Sequence, residues 1–328
     1  MRSKCFARLL VAICASASML GSSVGQTQAY PSKPVRVLIG QPPGGVQDIL
    51  ARSMSAELAK VWGQPVTLDN RVGGTGVVAA LAAARAAPDG YTIFFSTATN
   101  MNTAQFLQKD LPYHPEKDFI PVVALAQGQS ILLAGNHVGV NSTKELIEKA
   151  RANPGKLNYG TFGVASSSHF DAEALAKENN FKAVHVPYKG AVDVMNGLIG
   201  GHVDFAITAL VAAIPLVNSG KLKGLGYTGE KRTVALPQVP TLREQGYGFF
   251  ETGGLFAFYL QTGASPAVME KIAADTNRIR SSPEYLKTVI IPNGMEDLPL
   301  HGAALVTRFQ KSREDFADRI RGLDLQLK

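Results

Sequence analysis

The chain has 328 residues, 18% of them charged, and a formal net charge of +7. It carries no Lys/Arg run, so the mild positive charge does not indicate a nucleic-acid partner, and no apolar stretch is long enough to span a bilayer. A chain of roughly 300 residues exceeds what one hydrophobic core usually serves, so two domains are expected.

Residues 1–29 read as a secretory signal peptide. Arg2, Lys4 and Arg8 form a positive start, Leu9 to Leu20 is mostly apolar, and Thr27-Gln28-Ala29 offers a small-residue cleavage site, with Ser23-Val24-Gly25 a weaker one. Both cysteines, Cys5 and Cys14, fall in this segment. A lipoprotein reading of Cys14 is disfavoured by the bulky Ile13 before it. The expected mature chain is secreted and cysteine-free, with neither disulfide nor thiolate chemistry, and its net charge drops to +4.

Val35 to Ile39 is β-branched and suits a strand, Gly40-Gln41-Pro42-Pro43-Gly44-Gly45 forbids both strand and helix, and Leu50, Met54, Leu58 and Val61 share a helical face closed by Gly63. The low side-chain bulk of this loop leaves backbone N–H groups free at a helix start, a place that suits an anion. Further on, Val66 to Leu68 reads as a strand, Arg71 to Gly76 as a loop, and Val77 to Ala87 as an Ala-rich helix stopped by Pro88-Asp89-Gly90. Tyr91 to Ser96 is a third strand running into the polar loop Thr97-Ala98-Thr99-Asn100. This β-α-β-α-β order predicts a parallel sheet whose ligand sits beyond the carboxyl ends of its strands.

Ile120 to Leu125 and Ile131 to Ala134 are extended runs, and the capping box Ser142-x-x-Glu145 opens a helix that Pro154-Gly155 closes. Leu157 to Tyr159 is a strand leading into Gly160-Thr161-Phe162-Gly163-Val164-Ala165-Ser166-Ser167-Ser168-His169 and a helix, which repeats the first design with hydroxyls. Strands at Val184–Val186, Val203–Ile207 and Leu222–Tyr227 alternate with helices at 192–199 and 209–218, a second α/β set. Phe249 to Leu260 is expected to return the chain to the first domain, Ser265-Pro266 and Ser282-Pro283 to start helices, and residues from about 300 to 321 to form an amphipathic helix.

The sequence offers no HExxH or comparable metal spacing and no GxSxG elbow, and Gly73-x-Thr75-Gly76 lacks the Lys-Ser/Thr of a phosphate loop. Neither a metal nor a cofactor is expected. A hydrolase built on Ser167 and His169 is the enzymatic alternative. Ser166 to Ser168 also suit a plain helix cap, Tyr188 suits packing, and Lys189 suits a solvated charge.

Pro42-Pro43-Gly44-Gly45-x-x-Asp48, Asn70-Arg71, Ala87-Pro88-Asp89-Gly90-Tyr91-Thr92, Asn153-Pro154-Gly155-Lys156-Leu157-Asn158-Tyr159, His185-Val186-Pro187-Tyr188-Lys189-Gly190 and Gly200-Gly201-x-Val203-Asp204 occur in one order. Together they resemble the extracytoplasmic receptors of tripartite tricarboxylate transporters, the Bug family, over essentially the whole mature chain. The resemblance implies an α/β, type II Venus-flytrap periplasmic binding protein with two crossover strands. Lobe 1 would comprise 30–126 and 250–328, and lobe 2 would comprise 127–249. It further implies a monomer without catalysis that passes a small organic carboxylate to the membrane components of such a transporter. The competing role is a receptor reporting to a sensor kinase.

In that family, backbone groups of the first loop, here Gln41 to Gly45, and of the second-lobe loop, here Thr161 to Ser168, grip a ligand carboxylate. The expected ligand-binding set is Gln41, Pro43, Gly44, Gly45, Asp48, Ser96, Thr97, Thr99, Thr161, Phe162, Ser166, Ser167, His169, Tyr188 and Thr208. The chain departs from the family pattern at Gly40-Gln41, Phe162, Val164 and Thr208. Those changes favour a ligand with an apolar body, an aromatic or short aliphatic monocarboxylate, over citrate or an amino acid.

Overall fold

β1 (Val35–Ile39) is buried at every position but Arg36 and runs into α1 (Val46–Trp62). Leu50, Met54 and Leu58 on α1 are fully buried, each stabilising by about 1.5–3 kcal/mol. Gly63 ends the helix at φ 62°, its N–H donating to Ala59 O at 3.0 Å, which is the left-handed cap a Cβ would disfavour. β2 (Val66–Asn70) and α2 (Val77–Ala84) follow. The helix stops three residues short of the expected Ala87, because Pro88 disfavours the α conformation at the residue before it and the last turn unwinds. β3 (Thr92–Thr97) and β4 (Phe119–Gln127) complete the first strand set. The computed structural model describes residues 30–98, 101–102, 110–164, 166–229, 231–247 and 254–323; the expected signal peptide and Thr99 lie outside the described residues.

The second set runs β5 (Ser130–Gly135), α3 (Thr143–Ala152), β6 (Asn158–Thr161), α4 (Ser167–Glu178), β7 (Val184–Pro187), α5 (Ala191–Ile199), β8 (Phe205–Ala209), α6 (Leu210–Asn218) and β9 (Leu222–Tyr227). The capping box at α3 forms: Ser142 Oγ accepts from Glu145 N–H at 3.1 Å, while Glu145 Oε2 accepts from Asn141 N–H at 2.8 Å. β8 begins two residues later than the sequence suggests. Just before it, Asp204 and Asn158 bond each other's backbone N–H through their side chains, at 2.8 and 2.9 Å, while Asp204 N–H also donates to Asn158 O at 3.0 Å and its carbonyl accepts from Gly135 N–H at 2.9 Å. β10 (Leu255–Gln261), α7 (Pro266–Arg280, capped by Ser265) and α8 (Gly302–Leu323) close the chain.

The strand orders are β2-β1-β3-β10-β4 and β7-β6-β8-β5-β9. In the first sheet β1 is parallel to β2 and β3, and β10 is antiparallel to β3 and β4. In the second, β6 is parallel to β7 and β8, and β5 is antiparallel to β8 and β9. Each sheet's antiparallel strand is therefore the one that crosses over from the other: β5 follows β4, and β10 follows β9. The crossings touch, Gly128 N–H donating to Gly254 O at 2.9 Å. This pairing with β10 explains why β3 continues through Thr97, where the sequence suggests a loop: Thr97 faces Phe256, a partner far along the chain.

Leu38, Phe94, Ala257, Tyr259, Leu305 and Phe309 form one core on the first sheet. The second sheet is covered on both faces, by a core around Leu146, Leu175 and Phe205 and another around Val194, Leu198 and Leu210. α8 joins the lobes, with Phe309 5.4 Å from the Tyr259 ring and Phe316 edge-on to Phe170 of α4 at 4.5 Å. Among the described residues no helix is long and apolar enough to cross a membrane.

Candidate functional site

Strand order reverses direction around β1 in one sheet and around β6 in the other, since β1 lies between β2 and β3 and β6 lies between β7 and β8. Crevices in such sheets open beyond the carboxyl ends at these switch points. The loop after β1 and the end of β3 flank one switch point. The loop after β6 and the end of β8 flank the other. The sequence-predicted residues divide between them: Gln41, Pro43, Gly44, Gly45, Asp48, Ser96 and Thr97 at the first, and Thr161, Phe162, Ser166, Ser167, His169, Tyr188 and Thr208 at the second.

In the first crevice, Gly40 closes β1 in a place where no side chain fits, because a Cβ would come within 2.5 Å of Gly76 Cα. Pro43 and Gly44 are exposed, and Gly44 takes φ 87°. Gly45 is the N-cap residue of α1 with ordinary extended angles and no side-chain cap. Asp48 supplies the missing order: its carboxylate accepts from Gly44 N–H at 3.2 Å, from Arg52 through two bonds at 2.9 and 3.3 Å, and from Asn70 Nδ2 at 3.1 Å. Asn70 also donates to Gln41 O at 3.0 Å, and Gln47 Nε2 donates to Phe95 O at 3.2 Å. Burial raises the Asp48 pKa, but the bonds from Arg52, Asn70 and the Gly44 N–H outweigh it and hold the group below the ordinary carboxylate value. Ion pairing with Arg52 also limits how far Asp48 cancels the positive end of α1.

The second crevice is organised by hydroxyls. Phe162 N–H donates to Ser168 Oγ at 3.2 Å, Ser168 and Ser166 Oγ lie 2.9 Å apart, and Ser166 Oγ donates to Gly163 O at 2.7 Å. Ser166 is also the N-cap of α4, accepting from His169 N–H. Gly163 N–H donates to Thr161 Oγ1 at 3.3 Å, and that hydroxyl lies 2.6 Å from His185 Nε2. Helix starts lack intrahelical acceptors for their first N–H groups, so Val46 and Gln47 on α1 and Ser167 and Ser168 on α4 present donors at the two crevices.

Five predicted residues are buried: Asp48 is 4% exposed, Ser96 4%, Thr161 0%, His169 5% and Thr208 0%. His169 stacks on His185 with ring centroids 3.9 Å apart and 13° between planes, and Tyr159 lies 5.1 Å beyond His185. Burial pushes both histidines down to about 4, with His169 adding to the shift at His185. Tyr188 donates its N–H to Thr161 O at 2.8 Å, and its ring lies over Gly160 and Gly197, where side chains would exclude it. Phe162 is half-buried, Val164 is 59% exposed, and Val72 (56%) and Val78 (48%) are exposed beyond the end of β2 and at the start of α2. Sequence reasoning missed Asn70, Arg52 and His185 as site residues, and it placed Ser168 in the gripping loop without its side-chain bond to Phe162 N–H. The Asp48/Arg52 spacing of four on one helix was the available signal for Arg52, and the repeated serines for Ser168.

A further concavity of about 520 Å³, lined by Asn136, His137, Gly200, Gly220 and Lys221, lies at the opposite end of the second sheet. Two of its polar side chains are engaged: Asn136 Nδ2 bonds Gly220 O at 2.9 Å, and His137 Nε2 bonds Asp204 at 3.1 Å.

Two lobes linked by crossover strands, each offering a helix start at its switch point, define a periplasmic binding protein. The sequence profile of the tripartite tricarboxylate transporter family receptors matches residues 50–311, and the chain belongs to that family. It is 33% identical over 285 residues to a UPF0065 protein of Cupriavidus necator encoded in the gbd 5' region, covering 86% of each chain. It is 30% identical over 241 residues to protein BugT of Bordetella pertussis, covering 73% of this chain and 74% of that one. Among solved structures, R. palustris Rpa4515 with adipate superposes at a TM-score of 0.81 with 26% identity, over 90% of this chain and 98% of that one. MatC of Rhodopseudomonas palustris with bound malate gives 0.76 and 27%, over 89% and 100%.

Proposed function

We propose that the protein is a periplasmic receptor that captures a small organic carboxylate between lobe 1 (30–126 and 250–328) and lobe 2 (127–249). It then delivers the ligand, as a monomer without catalysis, to the membrane components of a tripartite tricarboxylate transporter. Residues 1–29 act as a cleaved export signal in this reading. The observation that carries it is the matched pair of helix starts, each preceded by a loop braced by a bond from its backbone, Gly44 N–H to Asp48 in the first and Phe162 N–H to Ser168 Oγ in the second. Free N–H groups in fixed orientation bind an anion without a cationic side chain, and more strongly once closure excludes water.

The contacts are assigned to the backbone of Gln41 to Gly45 and of Phe162 to Ser168, with Ser96 and Thr97 beside them. Asp48, His169 and Thr208 support the loops from below. Exposed Val72, Val78 and Val164 favour a ligand with an apolar body, and the family neighbours with adipate and malate support the carboxylate end. The hydrolase alternative is disfavoured because His169 is stacked in the interior. Mass spectrometry of co-purified small molecules, followed by thermal-shift screening of mono-, di- and tricarboxylates, tests the reading. A ligand at a hundredfold excess over its Kd should stabilise the fold by about 2.7 kcal/mol. A broad panel that leaves the melting curve unmoved would overturn it.

A further inference from the structure

The loop after β6 contains two hydrogen-bond chains, and each hydroxyl proton in them has one place to go. In the first, Phe162 N–H donates to Ser168 Oγ, Ser168 donates to Ser166 Oγ, and Ser166 donates to Gly163 O. Gly163 O also accepts from Ser166 N–H at 3.3 Å, which fills its two lone pairs. The Thr161 hydroxyl, 3.1 Å from the same carbonyl, therefore finds its better acceptor at His185 Nε2, only 2.6 Å away. Its own oxygen remains open to receive Gly163 N–H.

That second chain requires an unprotonated Nε2, hence a neutral ring with its proton on Nδ1. The surroundings supply this: the His185 face lies against His169 at 3.9 Å and against Tyr159 at 5.1 Å, two uncharged rings. The charged group nearby is Glu173 of α4, which is bonded by Tyr159 Oη. A protonated His185 would donate to Thr161 Oγ1 instead. The threonine proton would turn to Gly163 O, and the Gly163 N–H would lose its fixed acceptor orientation.

We propose that His185 is a positioning residue for the second-lobe loop, holding the Thr161 hydroxyl so that the Gly163 peptide, and with it the start of α4, is set for an anion. His185 lies on β7, outside the binding loops, and acts through Thr161. The effect on ligand affinity rests on the receptor reading, whereas the tautomer and the amide behaviour of the ligand-free protein do not.

The test therefore begins without ligand. Nitrogen-15 NMR of histidine-labelled protein at pH 7 should show His185 Nε2 unprotonated and Nδ1 protonated. Amide exchange at Gly163 should accelerate about tenfold in His185→Phe, which keeps the ring stack but lacks the acceptor, the effect of losing one net hydrogen bond. Thr161→Val should match it, Thr161→Ser should restore protection, and the double variant should be no worse than either single one. A protonated Nε2 in the wild type, or wild-type exchange at Gly163 in Thr161→Val, overturns the inference even if His185→Phe fails to fold. Binding of adipate, malate and benzoate is then compared by calorimetry. If none binds the wild type, the receptor reading falls while the tautomer result stands.

Discussion

The two anion loops reach the same end by different chemistry. The first-lobe loop is glycine and proline apart from Gln41 and contains no hydroxyl between Gly40 and Gly45. It is anchored from below by a carboxylate with an arginine and an asparagine. The second-lobe loop is anchored by neutral groups, three hydroxyls and a stacked pair of histidines, through bonds of 2.6 to 3.3 Å. Charge holds one loop and uncharged relays hold the other. The lesson is that a helix start becomes a usable anion site when its approach is locked, and that an acid or a hydroxyl serves if its own demands are met internally. The two locks should respond differently to mutation, to salt and to pH.

The largest expected effect is at Gly44. Its φ of 87° strains any side chain although nothing lies within 4 Å of where a Cβ would sit, so Gly44→Val should weaken carboxylate binding about ten- to a hundredfold by calorimetry. The sequence alone suggests the same for Gly45, but Gly45 has ordinary angles and its Cβ would sit 3.7 Å from Pro42 O, a normal contact. Gly45→Ala should leave the melting temperature unchanged and reduce binding only through the ligand's approach, which separates strain from obstruction.

Next in size are the anchors. Asp48→Ala removes the acceptor of three partners and should cost about 2 kcal/mol in denaturant unfolding, less at high salt because Arg52 is exposed. Ser166→Ala removes the cap of α4 and one member of the relay and should cost about 1 kcal/mol, with no dependence on salt. Equal salt sensitivity in both variants would erase the distinction between the two locks.

How much of this was legible in the sequence follows from the same contrast. Gly44-Gly45 before a helical face, and serines before another, marked both loops directly, and their β-α-β order gave the sheet that carries each. The locks were not visible because their members meet only in three dimensions: Asn70 reaches Asp48 from the next strand, and His185 reaches Thr161 from 24 residues away. Strand order was hidden for the same reason. β10 inserts between β3 and β4, and β5 between β8 and β9, which no local pattern encodes.

A pH titration sharpens the comparison further. His169 and His185 are lowered from 6.5 to about 4, so between those values the unfolded chain binds more protons than the folded one. Their contribution to stability is complete above pH 6.5 and is lost as pH falls toward 4. Asp48 is also lowered, so its contribution is lost only below the ordinary carboxylate range, near 3.8. Melting temperatures should therefore decline from pH 6.5 to 4, with a shallower decline in a variant carrying Phe at both histidines. A flat profile across that window would contradict the neutral histidine stack. The smallest effect belongs to Lys189→Ala, an exposed residue that should change stability and affinity by no more than about 0.5 kcal/mol.

The most direct test of the central claim is an amide NMR titration with whichever acid of the panel raises the melting temperature most. Two backbone loops gripping one carboxylate predict that amide protons of Gly44 to Asp48 and of Phe162 to Ser168 shift together, along a single binding curve. Shifts confined to one loop, or centred on Lys189 with both loops unmoved, would contradict it.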